Sequence, residues 1–267
     1  MIVYSRSNEY TLSIRVSADG FCFAAHHPDS SSEYAFQTYL PDLQLPLPAN
    51  LKKAKETLPL LQHDYGRVQL LLADGNYSTV PTEYVSEASA RDYFVESFPL
   101  TTARQEVLMT AVSPQVAMLF SADKTLLKWI DTLFPGVEVA HAMLPVLRFA
   151  LHDGSDRVLC YLHGRRMDVV CVRNGQLQFV NTFDNDTADN ALYYLLGVWQ
   201  TLGLSQTDDV LTLAGRATDS RELTTALSRF IRRIGRVDAA AEFHATELAR
   251  HADLPFDLQA LTGLENA

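Results

Sequence analysis

Two adjacent arginines stand at the tip of a strand–turn–strand unit in the second half of the sequence. The stretch "CYLHGRRMDVVC", residues 160–171, reads as two apolar strands joined by His163, Gly164, Arg165 and Arg166. Guanidinium groups are suited to binding phosphate or carboxylate. Two interpretations of the tip follow: the arginines are ordinary solvated charges of a loop and a strand edge, or they bind an anion directly.

A second unit of the same kind lies near the start of the chain. In "LSIRVSADGFCFAA", residues 12–25, apolar residues alternate on both sides of Asp19-Gly20, a strong signal for a two-residue hairpin turn. The first strand of this unit carries Arg15, and its turn carries the carboxylate of Asp19. If the two hairpins face each other, these charged side chains share one cleft.

Composition sets broad limits on the class of protein. The 267 residues, 47% of them hydrophobic, provide enough material for a substantial core in one or two domains. The formal net charge of −10 argues against general nucleic-acid binding. No run has the length of a membrane span or the form of a signal peptide, and three cysteines without framework spacing suit a reducing compartment. We therefore predict a soluble cytoplasmic protein without a membrane span.

The order of predicted elements repeats in the two halves of the chain. Each half opens with three strands in hairpins and continues to a helix, a strand and a helix, at an offset of about 146 residues if Leu12 is set against Val158. In the second half, Asn174-Gly175 is the best turn signal, and a helix capped by Thr187 should end at Gly203. In the first half, "QEVLMTAV" and "QVAMLFS" predict two additional strands.

The repeat predicts the architecture. The polar, glycine-containing segment "HDGSD", residues 152–156, is a fair boundary between the halves. We predict an α/β fold with two similar domains, residues 1–152 and residues 153–267, that face a cleft. Each domain should contain a mixed sheet that opens with three antiparallel strands.

This order of motifs resembles the actin-like ATPase superfamily, which includes actin, chaperones, sugar kinases and bacterial pilus-assembly and secretion proteins. "RVLCYLHGRRMDVVCV" looks like its second phosphate hairpin, "LSIRVSADGFCFAA" like its first, and "VLTLAGRATDSRELTTAL" like its adenosine motif. "LLLADGNYSTVPTEYV" also resembles a small uncharacterised bacterial family assigned to the superfamily. The resemblance covers most of the chain and implies two duplicated ribonuclease H-like domains.

The sequence departs from the superfamily at the positions where its chemistry is expected. Active members carry an Asp near the end of the first strand of a phosphate hairpin, where it coordinates a metal ion, and a glycine-rich turn that binds phosphate. The resemblance puts Arg15 and Tyr161 at the two Asp positions, and side chains at residues 163–166 would block close approach of backbone to phosphate. Gly215 keeps the small residue of the adenosine turn. The resemblance therefore implies a retained shape and a lost carboxylate chemistry.

The candidate site is the cleft between the two domains. We expect the following residues to converge there, together with His163: Arg15, Asp19, Tyr161, Arg165, Arg166 and Gly215. Arginines crowded together without nearby acids are costly unless water, an anion or the carboxylates of a partner compensate. We expect either an open, solvated cleft or an anion beside Arg165 and Arg166; the alternative is that these side chains point apart into solvent.

Three functions follow from these observations. The first is a non-catalytic actin-like protein, a pseudo-ATPase without a cofactor, that serves as an assembly or interaction module for an unidentified protein partner. The second is a nucleotide-binding ATPase or kinase that uses ATP and magnesium, with Asp19 or Asp168 as the carboxylate. The third, a nuclease of ribonuclease H topology, needs several carboxylates around one metal site, and Arg15 on the first strand argues against it.

Overall fold

The computed structural model describes residues 2–17, 20–215, 221–243, 251 and 253–265. In chain order, the strands are β1 Thr11–Ser17, β2 Gly20–His27, β3 Ser30–Tyr39, β4 Arg67–Leu72, β5 Tyr77–Pro81, β6 Gln105–Ser113, β7 Val116–Asp123, β8 Glu138–His141, β9 Arg157–His163, β10 Arg166–Arg173, β11 Gln176–Asp184, β12 Val210–Gly215 and β13 Arg233–Arg236. The helices are α1 Leu47–Thr57, α2 Ala90–Ser97, α3 Lys124–Leu133, α4 Met143–Leu151, α5 Ala188–Thr201, α6 Arg221–Leu227, α7 Ala239–Glu242 and α8 Phe256–Glu265. None of the helices within these residues combines the length and the apolar composition that crossing a membrane would need.

Two five-stranded sheets form the centres of the two halves. Their strand orders, β3-β2-β1-β4-β8 and β11-β10-β9-β12-β13, are one arrangement used twice. In each sheet the first three strands are antiparallel hairpin partners, and the last two strands run parallel to the central one. The prediction of an α/β fold with two mixed sheets, each opening with three antiparallel strands, is confirmed.

Local sequence signals account for the ends of several elements. Asn174 and Gly175, between β10 and β11, have φ angles of +51° and +69°, the positive values that a two-residue hairpin turn requires. The hydroxyl of Thr187 accepts the backbone N–H of Asn190 at 3.2 Å and caps the start of α5. Gly203, with φ +63°, follows the end of that helix. These turn and cap predictions are confirmed.

A separate three-stranded antiparallel sheet lies in the first half. The two additional predicted strands are present as β6 and β7, and β5 joins them in the order β5-β7-β6. Helix α2 covers this sheet through a small core of Ala90, Phe94 and Leu119. The association of β5 with the later hairpin was not predicted, because no local signal links strands so far apart in sequence.

Helices α4 and α8 connect the two halves through a shared core. The rings of Phe149 on α4 and Phe256 on α8 meet edge to face at 5.2 Å, and Phe256 makes a similar contact with Tyr161 of β9 at 5.6 Å. Although α8 follows the second sheet in sequence, its Glu265 accepts a hydrogen bond from Gln69 of β4 at 2.8 Å. The contacts of α8 thus cross the expected boundary between residues 152 and 153, and the division into two domains stays a prediction.

Candidate functional site

A cavity of about 500 Å³ lies between the two hairpins and the chain that enters α8. Its lining includes the candidate residues that the structure describes: Arg15, Tyr161, Arg165, Arg166 and Gly215. His163 lines the cavity as well, and Asp19 lies outside the described residues. The fold therefore brings residues of β1, β9, β10 and β12 to one place. That this cavity binds a ligand stays a prediction.

Arg15 and Tyr161 occupy equivalent positions on the two central strands. Arg15 lies on β1 between β2 and β4, and Tyr161 lies on β9 between β10 and β12. Both residues are buried, with 6% and 2% of their surface exposed. A buried cation on a central strand requires a compensating group nearby.

The carboxylate of Asp257, in the first turn of α8, lies between these two side chains. Arg15 donates from Nε to both carboxylate oxygens, at 2.9 and 2.7 Å, and the Tyr161 hydroxyl donates to Oδ2 at 3.0 Å. Asp257 is fully buried, and the start of a helix is a favourable place for a negative charge. One carboxylate of the chain itself thus satisfies the equivalent positions of both hairpins.

The charge states of this network follow from its surroundings. Burial lowers the pKa of Arg15, but the charge of Asp257, the interaction with Tyr161 and the hydrogen bond to Asp257 together raise it by more, so the pKa is raised and the guanidinium stays charged. Burial, and then the charge of Asp257, raise the pKa of Tyr161 well above its usual value. The phenol therefore keeps its proton and donates a hydrogen bond to the carboxylate. The network thus consists of a buried ion pair between Arg15 and Asp257, with the neutral Tyr161 hydroxyl as an additional hydrogen-bond donor.

The expectation that the cleft arginines lack nearby acids is wrong for two of the three. Arg15 binds Asp257, and Nε of Arg165 contacts Asp186 at 2.7 Å on the surface. These acids stand 242 and 21 residues away in sequence, so their proximity was not readable from the hairpins. Arg166 differs, since within the described residues its guanidinium makes neither a hydrogen bond nor an ion pair.

The tip of the second hairpin is a tight two-residue turn. His163 and Arg166 are opposite each other in register, and Gly164 between them has φ +54°, as a glycine-first hairpin turn requires. Such a turn contains no glycine-rich loop whose N–H groups could surround a phosphate. The tip of the first hairpin, Ala18 and Asp19, lies outside the described residues.

Gly215 is required by the close approach of two strands. It has φ +101°, and a Cβ atom at this position would lie 2.2 Å from the carbonyl oxygen of Leu162 on β9. Strand packing alone therefore explains a glycine here. Its contact with a ligand, implied by the resemblance to an adenosine motif, stays a prediction.

A second buried carboxylate, Asp168 on β10, links the two halves. It accepts hydrogen bonds from His163, from Thr182 and, at 3.1 Å, from the hydroxyl of Tyr77 on β5. Burial raises the pKa of Asp168, but the hydrogen bond and charge of His163, with the two hydroxyl donors, lower it by more. Asp168 therefore stays ionised and surrounded by donors. Among the described residues, no group of three or more His, Cys, Asp or Glu side chains is arranged to hold a metal ion.

His141, at the end of β8, is buried beside this cluster. Its Nδ1 accepts the backbone N–H of Met143 at 3.2 Å, and its Nε2 has no partner within the described residues. Burial lowers the pKa of His141 to about 4; the charges of Asp168 and Asp257 oppose this, and His163 and Arg166 add to it. The imidazole is therefore neutral in the folded protein at neutral pH.

This neutral imidazole predicts a dependence of stability on pH. Between pH 6.5 and pH 4 the unfolded chain protonates His141 and the folded chain does not. The stabilisation is fully present above pH 6.5 and is lost as the pH falls towards 4, by about 3 kcal/mol in the free energy of unfolding. Urea unfolding at stepwise pH measures it. His141→Gln should reduce the dependence of the free energy of unfolding on pH between 6.5 and 4, and His63→Gln, at an exposed position, should not. The same pH dependence in His141→Gln as in the unchanged chain would contradict this account.

One family model matches the chain. Residues 3–234 match the model described as "Protein of unknown function (DUF3822)". The chain belongs to this DUF3822 family. No curated protein matches it. The prediction of an uncharacterised family is thus confirmed.

Solved structures show the fold of this DUF3822 chain. It is similar to a crystal structure from Bacteroides thetaiotaomicron described as a protein with an actin-like ATPase fold and unknown function, with 26% sequence identity, a TM-score of 0.83 and 98% of each chain covered. It is also similar to a chain of the PilM–PilN type IV pilus biogenesis complex, with 13% identity, a TM-score of 0.62, and 96% of this chain and 98% of that chain covered. The actin-like ATPase fold inferred from the hairpin motifs is confirmed.

Sequence reasoning missed three residues that organise the site in this DUF3822 chain: Tyr77, His141 and Asp257. A partial signal exists for Asp257 alone, because Pro255 followed by an acidic residue predicts the start of a helix. That signal places Asp257 at a helix start. It does not place it beside Arg15, since no local pattern connects the two.

Proposed function

We propose that this chain is a non-catalytic protein with an actin-like ATPase fold, a pseudo-ATPase, that acts by binding another protein. The network of Arg15, Tyr161 and Asp257 is the observation that carries the proposal. The positions at which active relatives are expected to carry metal-binding carboxylates hold a guanidinium and a phenol. The carboxylate that reaches them, Asp257, comes from the chain itself; it neutralises the guanidinium and accepts a hydrogen bond from the phenol.

Magnesium–ATP chemistry requires free carboxylates, and the two carboxylates that are buried in the described part of the chain, Asp168 and Asp257, already accept hydrogen bonds. Asp257 accepts from Arg15 and Tyr161, and Asp168 accepts from three donors. Phosphoryl transfer depends mainly on metal ions and positioned donors that stabilise charge on the phosphoryl group. A magnesium ion at either carboxylate would have to displace these donors and leave Arg15 or His163 unpaired in a buried place. This supports the non-catalytic part of the proposal.

The protein-binding part of the proposal rests on the fold. A chain of the PilM–PilN type IV pilus biogenesis complex has a similar fold and belongs to an assembly of proteins. From it we take only the idea that this fold can form part of a protein assembly. A cytoplasmic location also stays a prediction, supported by the free thiols of Cys22, Cys160 and Cys171.

A nucleotide-binding ATPase or kinase is the second candidate, because the cavity beside the hairpins has room for a ligand. Its volume of about 500 Å³ falls within the range of small-molecule sites. In that case Asp19, which lies outside the described residues, would have to hold the metal ion. The two candidates differ in their need for magnesium.

We expect no magnesium-dependent ATP hydrolysis above background from the purified chain, because the expected metal positions are Arg15 and Tyr161. Release of phosphate from ATP, with magnesium and with a chelator, measures this, and calorimetric titration with ATP and magnesium tests binding separately. The variants Asp19→Ala and Asp168→Ala are the controls. Turnover that requires magnesium and disappears in either variant would replace the proposal with the ATPase alternative.

A further inference from the structure

A groove of about 550 Å³ lies between the small sheet of the first half and the second five-stranded sheet. Residues 75–79 and residues 180–184 form its two walls. The first run contains the start of β5, and the second is the end of β11. Both are edge strands of their sheets within the described residues.

The two strands present their backbone edges to this groove. Successive side chains of a strand point to opposite faces, so a groove lined by a face would touch alternate residues. Here three consecutive residues of β5, 77–79, and five of β11, 180–184, line the groove, which is the pattern of an edge. On β11, the backbone N–H of Thr182 bonds to the side-chain oxygen of Asn181 at 2.9 Å instead of to a neighbouring strand. Val180, two residues before Thr182, points its N–H to the same side.

Neither wall carries the features that usually protect a strand edge. Exposed edges are commonly blocked by Lys, by central Pro or by inward charges, because free backbone groups pair with other chains. β5 reads "YSTVP", with Pro81 at its far end, and β11 reads "QLQFVNTFD", with Asp184 as its one charge. Two unprotected edges therefore face one groove.

The side chains around the groove define the chemistry of a partner. Arg166, which is half-buried, lines it without a hydrogen bond or ion pair to any described residue. Near it, the rings of Phe183 and Tyr194 stack at 4.9 Å, and Phe98 forms part of the opposite side. The groove thus offers an aromatic surface, two sets of backbone donors and acceptors, and one cation, Arg166, that forms no ion pair within the described residues. Asp184, opposite Arg166 in register, adds one carboxylate to the lining.

We propose that this groove binds an extended segment of a partner protein, about five residues long, that pairs as a strand with the free edges of β5 and β11. The segment carries one Asp or Glu for Arg166 and an apolar side chain for Phe183 and Tyr194. The acidic residue is expected from charge complementarity: a carboxylate of the partner would form a charge-assisted hydrogen bond with the half-buried guanidinium of Arg166. This inference rests on the proposed role as an interaction module and identifies the groove as the surface that binds the partner.

Selection of random displayed peptides on the full chain tests the groove. The selected peptides should be extended, uncharged except for one acidic residue, and should slow hydrogen exchange of backbone amides in residues 75–79 and 180–184. Arg166→Gln should weaken their binding at least about tenfold, because a hydrogen bond to a charged group is lost. Arg165→Gln is the matched control. It removes the same charge from the preceding residue, which does not line the groove, and should leave the affinity for the peptides unchanged.

Val180→Pro tests the backbone pairing. It removes an N–H that faces the groove and is not needed by β10, so the fold should persist while peptide affinity falls about tenfold or more. If neither Arg166→Gln nor Val180→Pro changes the affinity of the selected peptides, the groove is not their binding site, and the proposed role as an interaction module still stands. No enrichment over a control protein would also overturn it, and ATP turnover decides the proposed function independently. A dimer of the chain alone that Val180→Pro dissociates would assign the groove to a second copy instead.

Discussion

Replacing Asp257 with alanine is expected to lower the free energy of unfolding by about 4 kcal/mol. The change leaves the guanidinium of Arg15 buried without a carboxylate and the hydroxyl of Tyr161 without an acceptor. The loss is large because the guanidinium stays largely buried, with 6% of the residue exposed, while its partner is gone. Urea unfolding of the variant and the unchanged chain measures it.

Two further variants separate the ion pair from other effects. Asp253→Ala removes the same charge from the same segment, but Asp253 is exposed, so stability should change by less than about 0.5 kcal/mol. The double variant Arg15→Met, Asp257→Leu should recover most of the loss, since apolar residues of similar size can replace a buried pair. If the free energy of unfolding of Asp257→Ala is within about 1 kcal/mol of that of the unchanged chain, Arg15 and Asp257 do not form a buried ion pair in solution.

Gly215→Ala is expected to lower the free energy of unfolding by about 4 kcal/mol, through two effects that add. The φ of +101° is strained for alanine, and the new Cβ would lie 2.2 Å from the carbonyl oxygen of Leu162. That oxygen belongs to the backbone of a central strand, so neither atom can move away without disturbing the pairing of β9 with β12. Chemical unfolding gives the size of the effect.

Gly203→Ala is the matched control for this substitution. Gly203 has a similar positive φ of +63°, but a Cβ there would meet no atom within 4 Å. Only the cost of the left-handed backbone remains, about 1 kcal/mol. Equal losses in the two variants would mean that strand approach does not explain Gly215, and the ligand-contact interpretation would gain support.

Buried carboxylates determine how the two halves are held together. Asp257 joins β1 to β9 through Arg15 and Tyr161, and Asp168 receives a hydrogen bond from Tyr77 across the same boundary. Separation of the halves would leave Arg15 without its carboxylate and would remove one of the three hydrogen-bond donors of Asp168.

Much of the fold could be predicted because its signals are local. Alternation of apolar residues marked the hairpins, Asn174-Gly175 marked a turn, and Thr187 marked a helix start. Each depends on atoms a few residues apart, so the physical cause lies within the pattern that is read. The hairpin motifs in their order also led to the actin-like ATPase fold and placed Arg15 and Tyr161 at equivalent positions.

The candidate site could be predicted as a set of converging residues, but the state of those residues could not. Arg15 reads from sequence as a cation without a partner, and the tertiary structure makes it one half of a buried pair with an acid 242 residues away. His141 reads as an ordinary histidine, and packing buries it and lowers its pKa to about 4. Sequence by itself determined the hairpins, several turns and helix ends, and the equivalence of the two halves, since those depend on local geometry. Only the tertiary structure decided which charges meet and which strand edges stay free, because desolvation and pairing depend on neighbours that the chain supplies from far away.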